Sequence, residues 1–231
     1  MTDRPSDPDR AQSATSIAAL LRENIRTGRA VQGQRLVEAD IIRETGATRS
    51  RVREALQRLE GEGLVVIEEF RGASVRRYSL DEICQIYRTR MALEGLAAHD
   101  FAAADDAARK AQLQDLQGEL NALEHTGNHR AFVLANDAWH ALILDGAQNE
   151  YIRGFVERLR LPLYRLLFSA FFQPHRIDDA NADHRRITQA IVAGDAPAAE
   201  HGMRAHIASA LAAVIEMEAG MPGAELRQQN C

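Results

Sequence analysis

Three arginines at alternate positions, Arg49, Arg51 and Arg53, fall at the start of a predicted helix. Thr48 and Ser50 lie beside them, at the turn that joins this helix to a shorter one before it. The N-terminus of a helix attracts anions through its free N–H groups and its dipole. Guanidinium groups can also bind phosphates and read guanine edges. The pattern therefore predicts a helix-turn-helix that binds double-stranded DNA.

The position of each side chain predicts its task on DNA. Thr48, Ser50 and the backbone amides at the helix start are expected to bind phosphates. Arg49 and Arg53 are expected to contact bases and backbone. Arg51 has two interpretations, because an outward-facing arginine on a helix is often only solvated.

A second group of residues able to do chemistry lies in the carboxy-terminal half. Asn136 and His140 are four residues apart and so share one face of a helix. His184 and His206 fall on two later predicted helices. Imidazole nitrogens and an amide oxygen suit Zn²⁺, Ni²⁺, Mn²⁺ or a similar divalent ion. From spacing alone, the residues either converge on one ion or lie apart on separate helices.

The elements that must position the arginines form a small mixed module. Apolar residues at helical spacing predict helices over residues 16–27, 38–44 and 50–61. Two short apolar runs at residues 64–67 and 73–75 predict strands on either side of a turn. Arg71 and Gly72 lie in that turn and are expected to approach the minor groove of DNA. The module is predicted to be a winged helix-turn-helix with a small β-hairpin wing.

The elements that must position the histidines are all helical. The sequence from Ser79 predicts six helices, over residues 79–104, 105–125, 129–145, 150–170, 174–193 and 196–218, with a kink at Pro162. Short links between them predict an antiparallel six-helix bundle, whose interior can hold a ligand. The predicted class is mainly α. Its domains are a disordered tail (1–14), the winged module (15–77), the bundle (79–219) and a flexible tail (220–231).

Charge is distributed unevenly along the 231 residues. Residues 15–77 hold 12 arginines against 9 acidic residues, a net charge of +3, whereas residues 78–231 hold 14 basic against 21 acidic residues, a net charge of −7. This indicates a nucleic-acid module joined to a unit with another task, although ordinary variation in surface charge would give the same numbers. No apolar run is long enough to span a membrane. A cytoplasmic protein without a membrane partner is expected.

Residues 25–75 resemble the DNA-binding domain of the GntR family of bacterial repressors. The matching positions are Gly28, Gly33, Leu36, Glu38, Arg49, residues 52–56, Leu59, residues 62–64 and Gly72. The chain departs from the family at Arg51, where many members have proline, and at Gln32, which replaces the usual proline before Gly33. The resemblance supports the DNA-binding set of Thr48, Arg49, Ser50, Arg51, Arg53, Arg71 and Gly72.

Three carboxy-terminal segments resemble the FCD effector domain of the FadR subfamily: YSLDEICQIYRTRMALEGLAA, ANDAWHALI and DHRRITQAIVAGDAPAAEHGMRAHI. In metal-binding members of that family, one Asp or Asn and three His hold the ion. The resemblance carries these roles to Asn136, His140, His184 and His206, with Zn²⁺ as the first expectation and Ni²⁺ or Mn²⁺ as alternatives. Many members have Asp where this chain has Asn136, and Asp137 stays open as the fourth ligand.

Arg90 falls at the arginine of the family's Arg-x-x-Leu-Glu pattern, with Leu93 and Glu94 following. Near a cation, Arg90 could hold a carboxylate effector through a two-point contact. The alternative is a structural pair between Arg90 and Glu94, which lie one helical turn apart. The sequence does not separate these two roles.

The resemblance implies a metabolite-responsive transcription regulator that is not an enzyme. The regulator would be a homodimer that binds a near-palindromic operator as a repressor. A small carboxylate effector would weaken that binding. A metal-dependent hydrolase is one alternative, because a three-histidine site can activate water. None of these histidines lies in an HExxH motif, which sets a glutamate directly after the first histidine ligand. A constitutive DNA-binding protein without an effector is the other alternative.

Overall fold

The computed structural model describes residues 13–26, 28–160 and 175–219. The chain divides into two compact units, residues 1–78 and 79–231. Residues 1–12 of the predicted tail over residues 1–14 and the whole predicted tail over residues 220–231 lie outside the described residues. So do residue 27 of the first predicted helix, residues 161–170 of the fourth helix predicted in the bundle with the kink at Pro162, and residue 174 of the fifth. The fold is mainly α, as the apolar periodicity predicts.

Three helices form the core of the first unit: α1 (Ala14–Arg26), α2 (Glu38–Thr45) and α3 (Arg49–Gly61). The buried face of α3 consists of Val52, Ala55, Leu56 and Leu59. These positions repeat at helical spacing, so the remaining side chains of α3 point away from the core. Gly46 ends α2 with φ 67°, a left-handed conformation that a glycine adopts without strain. This turn delivers the chain to the N-terminus of α3.

A three-stranded antiparallel sheet completes the first unit, in the order β1 (Arg35–Leu36), β3 (Gly72–Val75), β2 (Val65–Glu68). The predicted hairpin is β2 and β3, which pair in register from Val65 with Val75 to Glu68 with Gly72. β1 adds an edge strand that the sequence did not predict, since two residues are too few to show alternation.

Helix α1 begins earlier than its apolar pattern predicts. Ala14, assigned by sequence to a disordered tail, is the first residue of α1 and only 6% exposed. The Ser13 hydroxyl accepts a hydrogen bond from the Ser16 amide at 3.1 Å, and the Ser13 carbonyl accepts one from Ile17. Ser13 thus caps the helix start, a role that serine commonly takes. The winged module therefore includes at least Ser13 and Ala14.

Six helices make up the described part of the second unit: α4 (Leu80–Ala103), α5 (Ala107–Leu123), α6 (His129–Gly146), α7 (Glu150–Arg160), α8 (Arg176–Ala193) and α9 (Ala196–Ala219). Ser79 and Glu82 form a reciprocal capping box at the start of α4. Side chains of Asp106 and Asn128 cap α5 and α6, each by accepting one hydrogen bond from a backbone amide. Helix α4 packs against α6, α7, α8 and α9 and so runs through the bundle.

Several polar side chains occupy core positions of the bundle. On α6, α8 and α9, the apolar stripe that faces the core is interrupted by Asn136, His140, His184 and His206. A polar residue at a core position is more informative than an apolar one, because its burial is costly without a partner. No helix within the described ranges is long and apolar enough to cross a membrane.

Candidate nucleic-acid interface and metal centre

The start of α3 presents its polar side chains to solvent. Thr48 is the N-cap residue, and its hydroxyl accepts from the Arg51 amide at 3.5 Å. Arg49, Ser50 and Arg53 are exposed, whereas Arg51 is half-buried. No acidic residue stands in the first turn of α3. Helix amides and guanidinium groups therefore meet at one exposed end, as an anion-binding surface requires.

Glu38 links the two arginines expected to contact DNA. Its carboxylate accepts a hydrogen bond from Arg49 Nε at 2.8 Å and another from Arg53 Nε at 2.9 Å. These two hydrogen bonds, from Arg49 first, lower the pKa of the Glu38 carboxyl. Both arginines use Nε for this contact, so their terminal nitrogens stay available for two-point contacts with phosphate or guanine. Glu38 thus orients the two guanidinium groups without occupying their outer edges.

The wing turn carries the remaining predicted DNA contacts. Arg71 is exposed, and its Nη1 lies 3.3 Å from Glu68 Oε2. Gly72 has φ 81° and Phe70 has φ 62°. Phe70 is 96% exposed, which is unusual for a large apolar side chain. The turn therefore presents an aromatic ring next to Arg71, and the sequence prediction did not include that ring.

Three histidines from three helices converge in the bundle core. One ring nitrogen from each of His140, His184 and His206 lies within 4.8 Å of the others. His184 Nε2 and His206 Nε2 are 3.3 Å apart. All three residues are buried. Three convergent imidazoles are a donor set that could hold a divalent metal ion.

Asn136 shares the buried face of α6 with His140. It is 7% exposed, and its Oδ1 has no hydrogen-bond partner among the residues that the structure describes. A buried acceptor without a donor costs about 1–3 kcal/mol, whereas a cation would satisfy it. Asp137 is half-exposed and is not part of the histidine cluster. The geometry therefore favours Asn136 over Asp137 as the fourth ligand.

Burial keeps two of the histidines in the form that binds metals. Burial lowers the pKa of His184 well below its usual value, and the neighbouring His206 and His140 lower it further. Burial also lowers the pKa of His206, against the opposing effect of Asp183. Neutral imidazole has the lone pair that a metal needs.

Two carboxylates contact the outer nitrogens of two of these rings. His140 Nδ1 lies 3.1 Å from Glu94 Oε2, and His206 Nδ1 lies 3.4 Å from Asp183 Oδ2. Burial acts to raise the pKa of Asp183, but hydrogen bonds with His206 and Arg186 outweigh it, and the pKa is lowered. A hydrogen bond from His206 Nδ1 to Asp183 fixes the His206 tautomer and leaves its Nε2 for a metal. Glu94 places a negative charge close to His140 Nδ1.

Arg90 is almost fully buried and pairs with Glu94. Arg90 Nε donates to Glu94 Oε1 at 2.7 Å. Burial would lower the pKa of Arg90, but Glu94 and Tyr87 outweigh this effect and raise it. Glu94 thus joins Arg90 to His140 through its two oxygens. Arg90 and Glu94 therefore form the ion pair that the sequence left open as one of two roles, and this pair lies beside the histidine cluster.

Aromatic side chains enclose the cluster. The Trp139 ring centroid lies 4.4 Å from that of His184, and the Phe132 ring stacks on His184 at 6.4 Å. Trp139 Nε1 donates to Thr188 Oγ1 at 2.9 Å, which satisfies the indole N–H in the core. These large rings hold the imidazoles in place and keep water from them on this side.

Sequence reasoning missed Glu38, Glu94 and Asp183 as functional residues. Glu38 in a first helical turn is ordinarily explained by the helix dipole. Glu94 was considered only as a partner of Arg90. Asp183 immediately precedes a candidate ligand, so its position was the one available signal that a carboxylate could reach the cluster.

Comparison with known proteins identifies both units. Residues 13–75 match the gntR family of bacterial regulatory proteins, and residues 85–209 match the FCD domain. The chain is 28% identical over 217 residues to the probable D-xylose utilization operon transcriptional repressor of Paenarthrobacter nicotinovorans, covering 91% of this chain and 94% of the relative.

Solved structures share the same architecture. A GntR transcriptional regulator from Rhodococcus sp. RHA1 superposes with a TM-score of 0.71 at 28% identity, covering 88% of this chain and 97% of that one. McbR/YncC of E. coli has a TM-score of 0.76 at 18% identity, with the same coverage. At that lower identity the likeness concerns the fold alone.

Proposed function

The chain belongs to the GntR family of bacterial transcriptional regulators with an FCD domain, and we propose that it is a metal-dependent, effector-responsive repressor. It is a regulator and not an enzyme, as its family and its relatives indicate. The helical arrangement and the three resembling segments favour the FadR subfamily. Such a repressor would act in the cytoplasm, where the chromosome lies.

One observation carries the proposal: a cluster of three buried histidines in a unit joined to a DNA-binding module. Histidines in a core that needs no chemistry would ordinarily be replaced by apolar residues, because burying polar groups is costly. Asn136 adds an unpartnered buried oxygen on the same face as His140. The donor set of three imidazoles and one amide suits Zn²⁺ first, and Ni²⁺ or Mn²⁺ also.

His140, His184, His206 and Asn136 would hold the ion. The ion would supply a Lewis-acidic anchor for a small carboxylate effector. The protein's own part would be to keep His184 and His206 neutral, to fix the Nδ1 atom of His206 with Asp183, and to exclude water with Trp139. Glu94 would add a negative charge beside His140. Arg90 would add positive charge beside the effector through the end of its guanidinium that does not contact Glu94.

On DNA, the protein would act as a homodimer on a near-palindromic operator. Two copies of α3 would then enter successive major grooves, one helical turn of DNA apart. Thr48 and Ser50 would contact phosphates, Arg49, Arg51 and Arg53 would contact bases and backbone, and Arg71 and Gly72 would approach the minor groove. Effector binding would weaken operator affinity by a coupling free energy of about 1–3 kcal/mol.

The proposal is tested with the full-length protein and an operator selected from random DNA. Purified protein should bind about one Zn²⁺ per chain, measured by elemental analysis and calorimetry. The variant with His140, His184 and His206 all changed to Ala should lose the ion yet still bind the operator. Full metal occupancy in this variant would place the ligands elsewhere. A screen of small carboxylates against the DNA complex then separates a responsive repressor from a constitutive DNA-binding protein.

A further inference from the structure

Arg176 is a buried cation that no described carboxylate neutralises directly. It lies in the first turn of α8, is 8% exposed, and donates from Nη1 to Ser209 Oγ at 2.9 Å. No carboxylate oxygen among residues 13–26, 28–160 and 175–216 forms an ion pair with it. Asp183, Asp179 and Glu216 act on it only through longer-range charge interactions. Burial lowers the pKa of Arg176, against the effect of those carboxylates. A buried guanidinium held only by a hydroxyl has hydrogen-bonding capacity to spare.

Arg176 borders the histidine centre. Its partner Ser209 lies three residues after His206 on α9, so both lie on one face about a helical turn apart. The charge of Arg176 also contributes to lowering the pKa of both His184 and His206. Tyr87, a buried residue beside Arg90, is within range of the same charge. The buried guanidinium is therefore bonded next to the His206 stretch of α9 and lies within charge-interaction range of His184 and His206.

The charges around the centre leave a bound divalent ion uncompensated. Arg90 and Arg176 are positive, and Glu94 and Asp183 are negative, so the four side chains cancel. Arg186, which also contacts Asp183, is mostly exposed and is screened by water. Imidazole ligands are neutral when they bind a metal, and Asn136 is neutral as well. The two positive charges of the ion would thus remain unmatched in a buried site, which is unfavourable.

We propose that the effector is a dianion, a small dicarboxylate with one end on the metal ion and the other on Arg176. This inference rests on the proposed function, because it presupposes the ion. A dicarboxylate supplies the two negative charges that the site lacks. It also uses both anchors, since the planar guanidinium fork matches a carboxylate in a two-point contact. Arg90 is a weaker anchor for the second carboxylate, because Glu94 already takes its Nε.

The test compares dicarboxylates with monoamides of the same size. Full-length protein loaded with Zn²⁺ is titrated calorimetrically with malonate, succinate and glutarate, and with the monoamide of each. At least one dicarboxylate should bind about tenfold or more tightly than its monoamide. Arg176→Gln should reduce that preference to about twofold or less while still binding Zn²⁺ at least as tightly as the wild type, because a nearby positive charge is lost. Arg204→Gln, which removes an exposed arginine of the same unit, should behave like wild type.

Each result supports or overturns the inference. A preference that persists in Arg176→Gln, or the absence of any preferred dicarboxylate, overturns it and leaves the metal site standing. Failure of the wild type to bind Zn²⁺, measured before any ligand is added, overturns the proposed function as well. Arg176→Lys covers the case in which the Gln variant does not fold. Lysine keeps the charge without the fork, so it should retain part of the preference.

Discussion

Glu38 shows how a single carboxylate can set the geometry of a DNA-reading surface. Arg49 and Arg53 have long side chains that would otherwise sample many rotamers, and ordering them on DNA costs free energy. Two hydrogen bonds to Glu38 restrict both before DNA arrives. The same carboxylate is negatively charged and would lie near the phosphates when Arg49 and Arg53 contact DNA, so it would oppose binding to DNA of any sequence. We therefore expect Glu38 to affect the discrimination between operator and random DNA more than the affinity for the operator itself.

Glu38→Gln should bind random DNA several-fold more tightly and lower the ratio of operator to random-DNA affinity by about tenfold. Random DNA should bind more tightly because a negative charge is lost. The ratio should fall because Arg49 and Arg53 are no longer held in position, and one two-point base contact is worth about 1–3 kcal/mol of discrimination between bases. Both affinities are measured by fluorescence anisotropy at one salt concentration. Asp40→Asn on the same helix, which pairs with Arg43 instead, is the control. An unchanged ratio would show that Glu38 has no positioning role.

Arg49→Ala and Arg53→Ala should each abolish specific operator binding and leave the fold intact. Each removes a contact at the start of α3, and loss of a base contact costs roughly 1–3 kcal/mol. Where the lost contact is to a phosphate, the slope of the logarithm of DNA affinity against the logarithm of salt concentration should become about one unit less steep. Arg58→Ala, in the last turn of the same helix, serves as the comparison, because Arg58 bonds to Glu54 and Thr15. Operator binding equal to wild type in both variants would contradict the assignment of α3 as the recognition helix.

Asn136→Asp should tighten metal binding, because a carboxylate adds one negative charge to a ligand that is now neutral. The gain is on the order of 1–4 kcal/mol at ligand distances. Calorimetric titration with Zn²⁺ measures it. Asp137→Asn tests the alternative ligand, and we expect it to leave metal affinity unchanged. If Asn136→Asp left Zn²⁺ affinity unchanged and Asp137→Asn weakened it, Asp137 would be the fourth metal ligand instead.

At the scale of elements, close packing between helices fixes the bundle. A Cβ placed on Gly146, at the end of α6, would lie 2.3 Å from the ring of Phe101 on α4. Phe101 is fully buried, so its ring could shift only by displacing other core side chains. Gly118, within α5, has open space around its Cα instead. A methyl group at Gly146 would therefore clash with Phe101, whereas one at Gly118 would fit.

Gly146→Ala should lower the free energy of unfolding by about 1–3 kcal/mol through overpacking. Gly118→Ala should raise it by about 0.5–1 kcal/mol, because alanine favours a helix interior over glycine. Urea denaturation of the two variants beside the wild type gives both values. A Gly146→Ala protein as stable as the wild type would mean that α4 and α6 are less closely packed than described.

Sequence patterns predicted elements better than contacts between them. Ser79, Asp106 and Asn128 are capping residues whose type and position are visible in the sequence, and the helices they begin were predicted within a few residues. The edge strand at Arg35 and Leu36 was missed, because its two residues gain their order from pairing with β3. Contacts from Glu38 to α3 and from Glu94 to His140 depend on how helices cross, which no local pattern encodes. The histidines themselves were predicted from the four-residue spacing of Asn136 and His140 and from the resemblance to the FCD domain.

At the scale of the whole molecule, the chain divides into two units between Tyr78 and Ser79. The second unit has its own buried core from six helices and its own capped start. A domain with these properties is expected to fold alone. The proposed regulation would then require that effector binding in the second unit changes DNA binding by the first.

The fragment of residues 79–218 should fold by itself, be almost wholly helical, and carry dimer contacts or share them with the first unit. Circular dichroism and analytical ultracentrifugation of the fragment and the full chain measure these properties. A strong β signal, or a fragment without a cooperative unfolding transition, would refute independent folding. We expect its Zn²⁺ stoichiometry to equal that of the full chain, because all proposed ligands lie within it.

Trp139 has a practical consequence for every measurement on the bundle. It is the single tryptophan of the sequence, its ring is fully buried, and it lies against His184. Selective excitation of indole therefore yields an emission signal from one place in the protein, beside the proposed ligands. A cation arriving on the adjacent imidazole changes the electric field at the indole ring and so shifts its spectrum. The wild-type protein thus contains its own optical reporter, and binding at this centre can be followed without a label or an added chromophore.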